Sequence, residues 1–158
     1  MKALTVWQPW ASLIMAGAKP YEFRRWAAPR WIVGQRIVIH AGARRMRDSE
    51  IVELLNRLDA GEDMGLVVAK ARELVERVWR KRVGSLGTPA CDLPLAHGLG
   101  TAVIGEPRRA TEIYTGRSDS DRIDEHVWGW PLTDIQPFEP PVPCKGLQGF
   151  WTWPKGLA

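Results

Sequence analysis

"GAKPYEFRRW", residues 17–26, packs Lys19, Glu22, Arg24 and Arg25 into seven positions and interleaves them with Tyr21, Phe23 and Trp26. The stretch before it is helical in pattern. In "QPWASLIMAG" (8–17), Trp10, Leu13, Ile14 and Gly17 fall at i, i+3, i+4 and i+7, Pro9 suits the first helical position, and Gly17 suits the C-terminal cap. A helix that stops at Gly17 puts Lys19 in a turn, and Pro20 then opens a strand over 21–26, a placement strands tolerate. Alternate side chains on a strand share a face, so Glu22 and Arg24 stand together, while Tyr21 and Phe23 are free to enter the core. The result is one carboxylate between two cations, with Lys19 swinging over it from the turn. Two readings follow. The trio is a partly exposed ion-pair cluster worth about 0–1 kcal/mol, or it is a ligand site in which Lys19 and Arg24 hold phosphate and Glu22 accepts a hydrogen bond or serves as a base. On either reading Glu22→Gln keeps the shape and is expected to leave the fold nearly unchanged; on the second it weakens ligand binding.

Outward from this stretch, "ALTVW" (3–7) alternates as a short strand, and "RIVIHAG" (36–42) is a strand with Ile37 and Ile39 on one face and Val38 and His40 on the other. Ile51, Leu54, Leu55 and Leu58 keep helical spacing after Asp48, a suitable N-cap. After the turn "AGEDMG", the positions of Val67, Ala71, Leu74, Val75 and Val78 predict a second helix over about 65–81. "GSLGTPACDLPLAHGLG" (84–100) reads as loop, "GTAVIGE" (100–106) as strand, and "RATEIYT" (109–115) as its extension or sequel. "GRSDSDRIDE" (116–125) reads as an exposed loop, "HVWGWPLTDIQPF" (126–138) as a broken strand, "EPPVPCKGLQG" (139–149) as a proline-stiffened loop and "FWTW" (150–153) as the last strand. Short strands split by Gly and Pro, with helices that do not alternate with them, argue for an α+β fold with a mixed sheet or small barrel.

A chain of 158 residues, 45% hydrophobic and 25% charged, fits one soluble domain with a real core. Cys91 and Cys144 match no metal spacing and no disulfide framework, and His40, His97 and His126 form no ligand pair, so no metal and no cofactor is implied. Gln8 and Pro9 interrupt the apolar run of the N-terminal stretch, and no run approaches the ~20 residues of a membrane span; the expectation is a cytoplasmic protein. Residues 17–47 hold eight basic side chains and one acid, whereas the remainder is net acidic. An arginine strip of Arg25, Arg30, Arg36, Arg44, Arg45 and Arg47 is a footprint for nucleic acid, or the composition of a GC-rich genome. Among nine tryptophans, Trp128 with Trp130 and Trp151 with Trp153 are paired at period two and read as core or groove wall. In "CKGLQGFW" (144–151), Lys145 and Gln148 stand between glycines that permit close backbone approach, as a binding element or a surface turn.

"GAKPYEFR" fits Gly-x-Lys-x-x-Glu-x-Arg without a gap and so resembles the signature of the ASCH family, named for activating signal cointegrator 1 homology. "ALTVWQPWASLIMAG", "RIVIHAG", "LPLAHGLGTAVIG" and "VPCKGLQGFWTW" resemble the family's opening, next strand, later strand and closing segment, in order. Residues 1–46 and about 92–153 carry the likeness; about 47–84 reads as a variable helical insertion in a single domain spanning 1–158. The resemblance implies a PUA-like fold, a small mixed β-barrel flanked by helices, with a cleft between barrel and first helix that binds RNA or a nucleoside-type ligand. Trp7, Gln8 and Trp10 would wall that cleft, Lys19, Glu22 and Arg24 would meet the ligand, Lys145 and Gln148 would close it, and Arg25, Arg44 and Arg45 would extend the contact. One branch of the family acts on N4-acetylcytidine and is similar at Lys19 but has Thr where Glu22 stands; other members are ribonucleases. If the cleft carries a reaction, Lys19 and Glu22 are the catalytic candidates. The alternatives are thus a hydrolase on a modified nucleoside or RNA, and a protein-interaction module.

Overall fold

A computed structural model describes residues 1–84, 93–113 and 127–157. The elements are β1 (Lys2–Val6), α1 (Trp10–Met15), β2 (Tyr21–Arg24), β3 (Arg36–Ala41), α2 (Asp48–Asp59), α3 (Val68–Gly84), β4 (His97–Ile104), β5 (Arg108–Arg109), α4 (Ala110–Ile113), β6 (Trp128–Pro143) and β7 (Phe150–Thr152). The strands run β2-β6-β4-β3-β1-β7, with β5 also paired to β6. Among the described residues β1 and β3 pair in parallel and the other ladders are antiparallel. β6 curls the sheet. Its first four residues pair with β2, and from Leu132 onward it pairs with β4. With the helices on its faces this is an α+β half-barrel.

Alternation places the core as β1 and β3 suggest. Leu4, Val6, Ile37, Ile39 and Ala41 face one apolar cluster with Ile14 and Trp130, whereas Ala3 and Val38 face the opposite cluster with Trp151 and Trp153. A third cluster joins Leu13 and Ala18 to Ile51, Leu54 and Leu58 of α2 and to Ala71, Leu74, Val75 and Val78 of α3. Leu13 and Ile14 are neighbours on a six-residue helix yet belong to different clusters, and Trp10 packs on both. Helix α1 is therefore wedged between sheet and helix pair, which is what fixes the turn that follows it.

Several boundaries differ from the sequence expectation. Arg47, not Asp48, caps α2, and Glu50 reaches back to accept from the Arg47 backbone N–H at 2.7 Å. Helix α3 starts at Val68 and runs to Gly84. Strand β4 begins at His97, inside the Gly-rich segment read as loop, because Gly100 lets the chain approach β6: a Cβ there would sit 2.4 Å from the Gln136 carbonyl oxygen. Residues 108–113 form a two-residue strand and a short helix rather than an extension of β4. Residues 128–143, read as a broken strand and the start of a proline loop, are one strand of 16 residues, and 144–149 remain loop. The strand's prolines are tolerated because, past Pro131, β4 is its one ladder neighbour among the described residues, so N–H groups on the other edge have no ladder there to lose. Residues 85–92 of the 84–100 loop, with Cys91, and the 116–125 loop with His126 lie outside the described residues. Among the described residues no helix is long and apolar enough to cross a membrane, and no group of His, Cys, Asp and Glu could hold a metal ion.

Candidate functional site

The turn between α1 and β2 is pinned on three sides. Gly17 takes the left-handed conformation (φ +65°) that ends α1, and the Ala18 and Lys19 N–H groups both donate to the Leu13 carbonyl at 2.8 and 3.1 Å. The Val67 N–H, just before α3, donates to the Ala18 carbonyl at 2.8 Å, and the Leu132 N–H from β6 donates to the Pro20 carbonyl at 2.8 Å. Lys19 is thereby held in a buried position instead of waving from a surface turn.

Lys19 Nζ lies 2.7 Å from Glu22 Oε2 and also donates to the Tyr21 carbonyl. Arg24 Nε lies 2.9 Å from Glu22 Oε1, and Arg24 Nη2 donates to the Thr5 carbonyl at 3.3 Å. The side chains of Lys19 and Glu22 are each 8% exposed, that of Arg24 28%. This corrects the expected orientation of β2. Glu22 is the buried residue of the strand, and Tyr21 and Phe23 are only half-buried. They flank Gly129, where a Cβ would meet Phe23 at 3.0 Å and Tyr21 at 3.4 Å. Each Glu22 oxygen already faces a cation, so the carboxylate orients Lys19 and Arg24. The trio keeps a net positive charge. One Lys19 proton and the Nη1 protons of Arg24 have no protein acceptor among the described residues, and Arg24 Nε, close as it is to Glu22, makes no hydrogen bond in this geometry.

These three side chains line a cleft of about 820 Å³ together with Trp7, Trp10 and Gln148. Trp7 is 58% exposed, and the Arg44 guanidinium stacks 4.8 Å from its ring centroid. Sequence reasoning missed Thr5, Arg57 and Met64, which also line the cleft. The last two arrive from α2 and the turn after it, and no local pattern announces a contact across so many residues.

Other candidates sit elsewhere. Gln8 is buried with both ends of its amide used: Nε2 donates to the Pro94 carbonyl at 2.8 Å and Oε1 accepts from the Ser12 N–H at 3.1 Å. It secures the start of α1 and does not wall the cleft. Lys145 is exposed and not among the cleft-lining side chains. Arg25 and Arg45 are exposed at the rim segments that flank Arg24 and Ala43. The arginine strip does not form one surface. Arg36 pairs with Asp134 at the opposite end of β3 from Arg44, roughly 17 Å of strand away. Arg44 and Arg47 share Glu50, which holds the Glu50 carboxyl below its ordinary value, the Arg44 hydrogen bond being the main cause.

The loop carrying Gln148 is latched to the barrel through His40. Its Nε2–H donates to the Cys144 carbonyl at 2.9 Å, and its Nδ1 lies 3.2 Å from Thr5 Oγ1. That hydroxyl donates to the Leu147 carbonyl at 2.6 Å and accepts from Trp151 Nε1 at 3.1 Å. Gly146 lies against the ring, and a Cβ there would fall 2.2 Å from Cε1. Burial is the largest influence on His40 and holds it below its ordinary value of 6.5; repulsion from His97 acts the same way, and the Cys144 carbonyl opposes both. The unfolded chain therefore takes up a proton that the folded one resists. Stability is full above pH 6.5 and falls as pH drops through 6.5 toward the folded value, with a slope of at most about 1.4 kcal/mol per pH unit. Urea midpoints at pH 7.5 and 5.5 should differ less in His40→Gln than in the native chain; an equal difference refutes the assignment.

A model of the ASCH domain matches residues 4–117. The chain belongs to the ASCH domain family. The crystal structure of ASCH from Zymomonas mobilis is similar to it, with 14% identity, a TM-score of 0.50, and coverage of 98% of this chain and 87% of that one. Structures of two mutants of that protein give 15% and 13% identity and TM-scores of 0.49 and 0.48, covering 98% of this chain and 88% and 90% of theirs. No curated protein matches the sequence. The fold is thus the PUA-like one that the opening decapeptide and its flanking segments led us to expect.

Proposed function

We propose that the cleft binds a nucleotide unit, and that the protein is an RNA-binding ASCH domain, in keeping with a family generally thought to bind RNA. The observation that carries this is the buried trio. Glu22 holds two cations, Lys19 and Arg24, at 2.7 and 2.9 Å, and both residues line the cleft beside an exposed indole. Phosphate or a base carbonyl satisfies their remaining donors, and Trp7 offers a face for a base. Arg24→Gln is the informative variant, because it spares the Lys19–Glu22 pair and changes the most exposed member of the trio. Losing a charged hydrogen bond of ~1.5–3 kcal/mol predicts roughly 10- to 100-fold weaker binding of uridine and adenosine monophosphates by calorimetry. Unchanged affinity in a folded Arg24→Gln protein overturns the proposal.

A hydrolytic role in the same cleft is the second reading. Lys19 Nζ and Glu22 Oε2 are within proton-transfer distance at 2.7 Å. A turnover screen with acetylated nucleosides and short RNAs tests it, and product formation that survives Lys19→Met would exclude the pair as its source.

A further inference from the structure

We propose that Trp26 and Trp31 form a second stacking platform beside the cleft, so that the partner is a single-stranded polynucleotide and not a free nucleotide. This rests on the cleft reading above and extends it. Trp26 and Trp31 are 42% and 57% exposed, unusual for side chains this large and apolar. Neither is loose. Both meet Phe150 edge to face, with centroids 6.2 and 5.5 Å away and interplanar angles of 73° and 66°. Trp26 also meets the fully buried Trp130 at 4.6 Å, and Trp130 Nε1 donates to the Trp26 carbonyl at 3.1 Å. Phe150 and Trp130 are themselves stacked at 5.6 Å and 7°. The two exposed rings are thus braced from below and present aromatic surface to solvent.

The platform adjoins the cleft on two sides. Arg24 lines the cleft and lies two residues before Trp26, at most about 7 Å of chain. Gly149 lines it and directly precedes Phe150. Charge then selects the occupant. Arg25 and Arg30 flank the two tryptophans, are exposed, and have no carboxylate partner among the described residues. Several other arginines are paired: Arg36 with Asp134, Arg57 with Glu62, Arg72 with Asp59 and Arg82 with Asp48. No acidic residue occurs between Glu22 and Asp48. Exposed indoles with unpaired cations beside them are the pattern that binds single strands, with bases on the rings and phosphates on the arginines. An apolar protein surface would satisfy the rings and leave Arg25 and Arg30 without counter-charge.

The test compares uridine and adenosine monophosphates with the corresponding RNA and DNA hexanucleotides. Each is titrated into the native chain, Trp31→Ala and Trp31→Phe, with folding checked by circular dichroism. The hexanucleotide should bind the native chain more tightly than the monophosphate. Trp31→Ala should weaken hexanucleotide binding by about 5- to 100-fold, the contribution of one stacked base, and leave the monophosphate unaffected. Trp31→Phe should restore most of the loss. The RNA and DNA arms decide which strand is preferred. Equal hexanucleotide affinity in native chain and Trp31→Ala overturns the platform alone, the cleft reading standing if the monophosphate still binds. No binding of either ligand by the native chain overturns both. Trp31-dependent self-association, or Trp31-dependent binding to phosphatidylserine vesicles without oligonucleotide binding, assigns the patch to another partner and overturns the proposal.

Discussion

Glu22→Gln is expected to lower the free energy of unfolding by about 3–5 kcal/mol. The amide keeps the shape of the carboxylate but withdraws its charge, and whichever way it turns it points an –NH₂ donor at one of the two cations. Lys19, with a side chain only 8% exposed, then keeps its charge without a counter-ion, and Arg24 loses its partner at 2.9 Å. Breaking one side of a buried pair leaves the desolvation of the other uncompensated, which is why the cost exceeds that of an exposed pair several-fold. The Lys19→Met, Glu22→Gln double variant removes the stranded ammonium, so its loss should fall well short of the sum of the single losses. Urea unfolding of the native chain, both single variants and the double variant measures this. A Glu22→Gln midpoint within about 1 kcal/mol of native would show that the trio behaves as an exposed cluster.

That expected loss reverses what the sequence suggested for the same substitution, and the reason is physical. Burial of Glu22 comes from outside its own strand. The Val67 N–H closes on Ala18 and the Leu132 N–H closes on Pro20, so segments far along the chain cover a turn that in isolation is open. Alternation in β1 and β3 was legible because a strand with one face in each cluster must repeat at period two. Helix α1 was legible from its stripe and from Gly17. The continuity of strand β6 through its prolines was not, because a proline excludes a residue from a ladder only where an N–H is needed, and which edge is free depends on its neighbours.

The site was legible in its centre and less so at its margins. Lys19, Glu22 and Arg24 are close in sequence, so strand geometry alone brings them together. Trp7, Trp10 and Gln148 reach the same cleft, but Gln8 is used up by Pro94 and Ser12. The concentration of arginines within 17–47 resembled one surface because charge in a sequence carries no direction. Strand β3 separates Arg36 from Arg44, and Asp134 and Glu50, from distant or later elements, take both of them. Among the described residues, Arg25, Arg30 and Arg45 are left without an acidic partner, and the first two lie beside the exposed tryptophans.

Trp153→Ala should cost about 3–5 kcal/mol in unfolding, with the proposed ligand binding in the cleft unaffected. Trp153 is 4% exposed and closes the cluster on the face opposite Ile37 and Ile39, with Trp151 at 5.7 Å and Phe138 at 6.4 Å. Its ring occupies the space that Gly98 leaves empty: a Cβ on Gly98 would stand 2.4 Å from Cη2. Truncation loses the transfer free energy of the ring and empties the space that it fills against Gly98. One effect opposes this. Trp153 Nε1 is buried without a hydrogen-bond partner among the described residues, and removing it relieves a desolvation penalty of about 1–3 kcal/mol. The net loss therefore falls toward the lower end of the range, and Trp153→Phe, which keeps most of the bulk and drops the orphan N–H, should stay within about 1 kcal/mol of native. The complement is a second test. Gly98→Ala is expected to destabilise the native chain, where its methyl meets the ring, and to be tolerated in Trp153→Ala, where the ring is gone. Denaturant midpoints of the two single variants and the double variant give the coupling between the positions. Additive effects would mean that the glycine and the indole do not share that space.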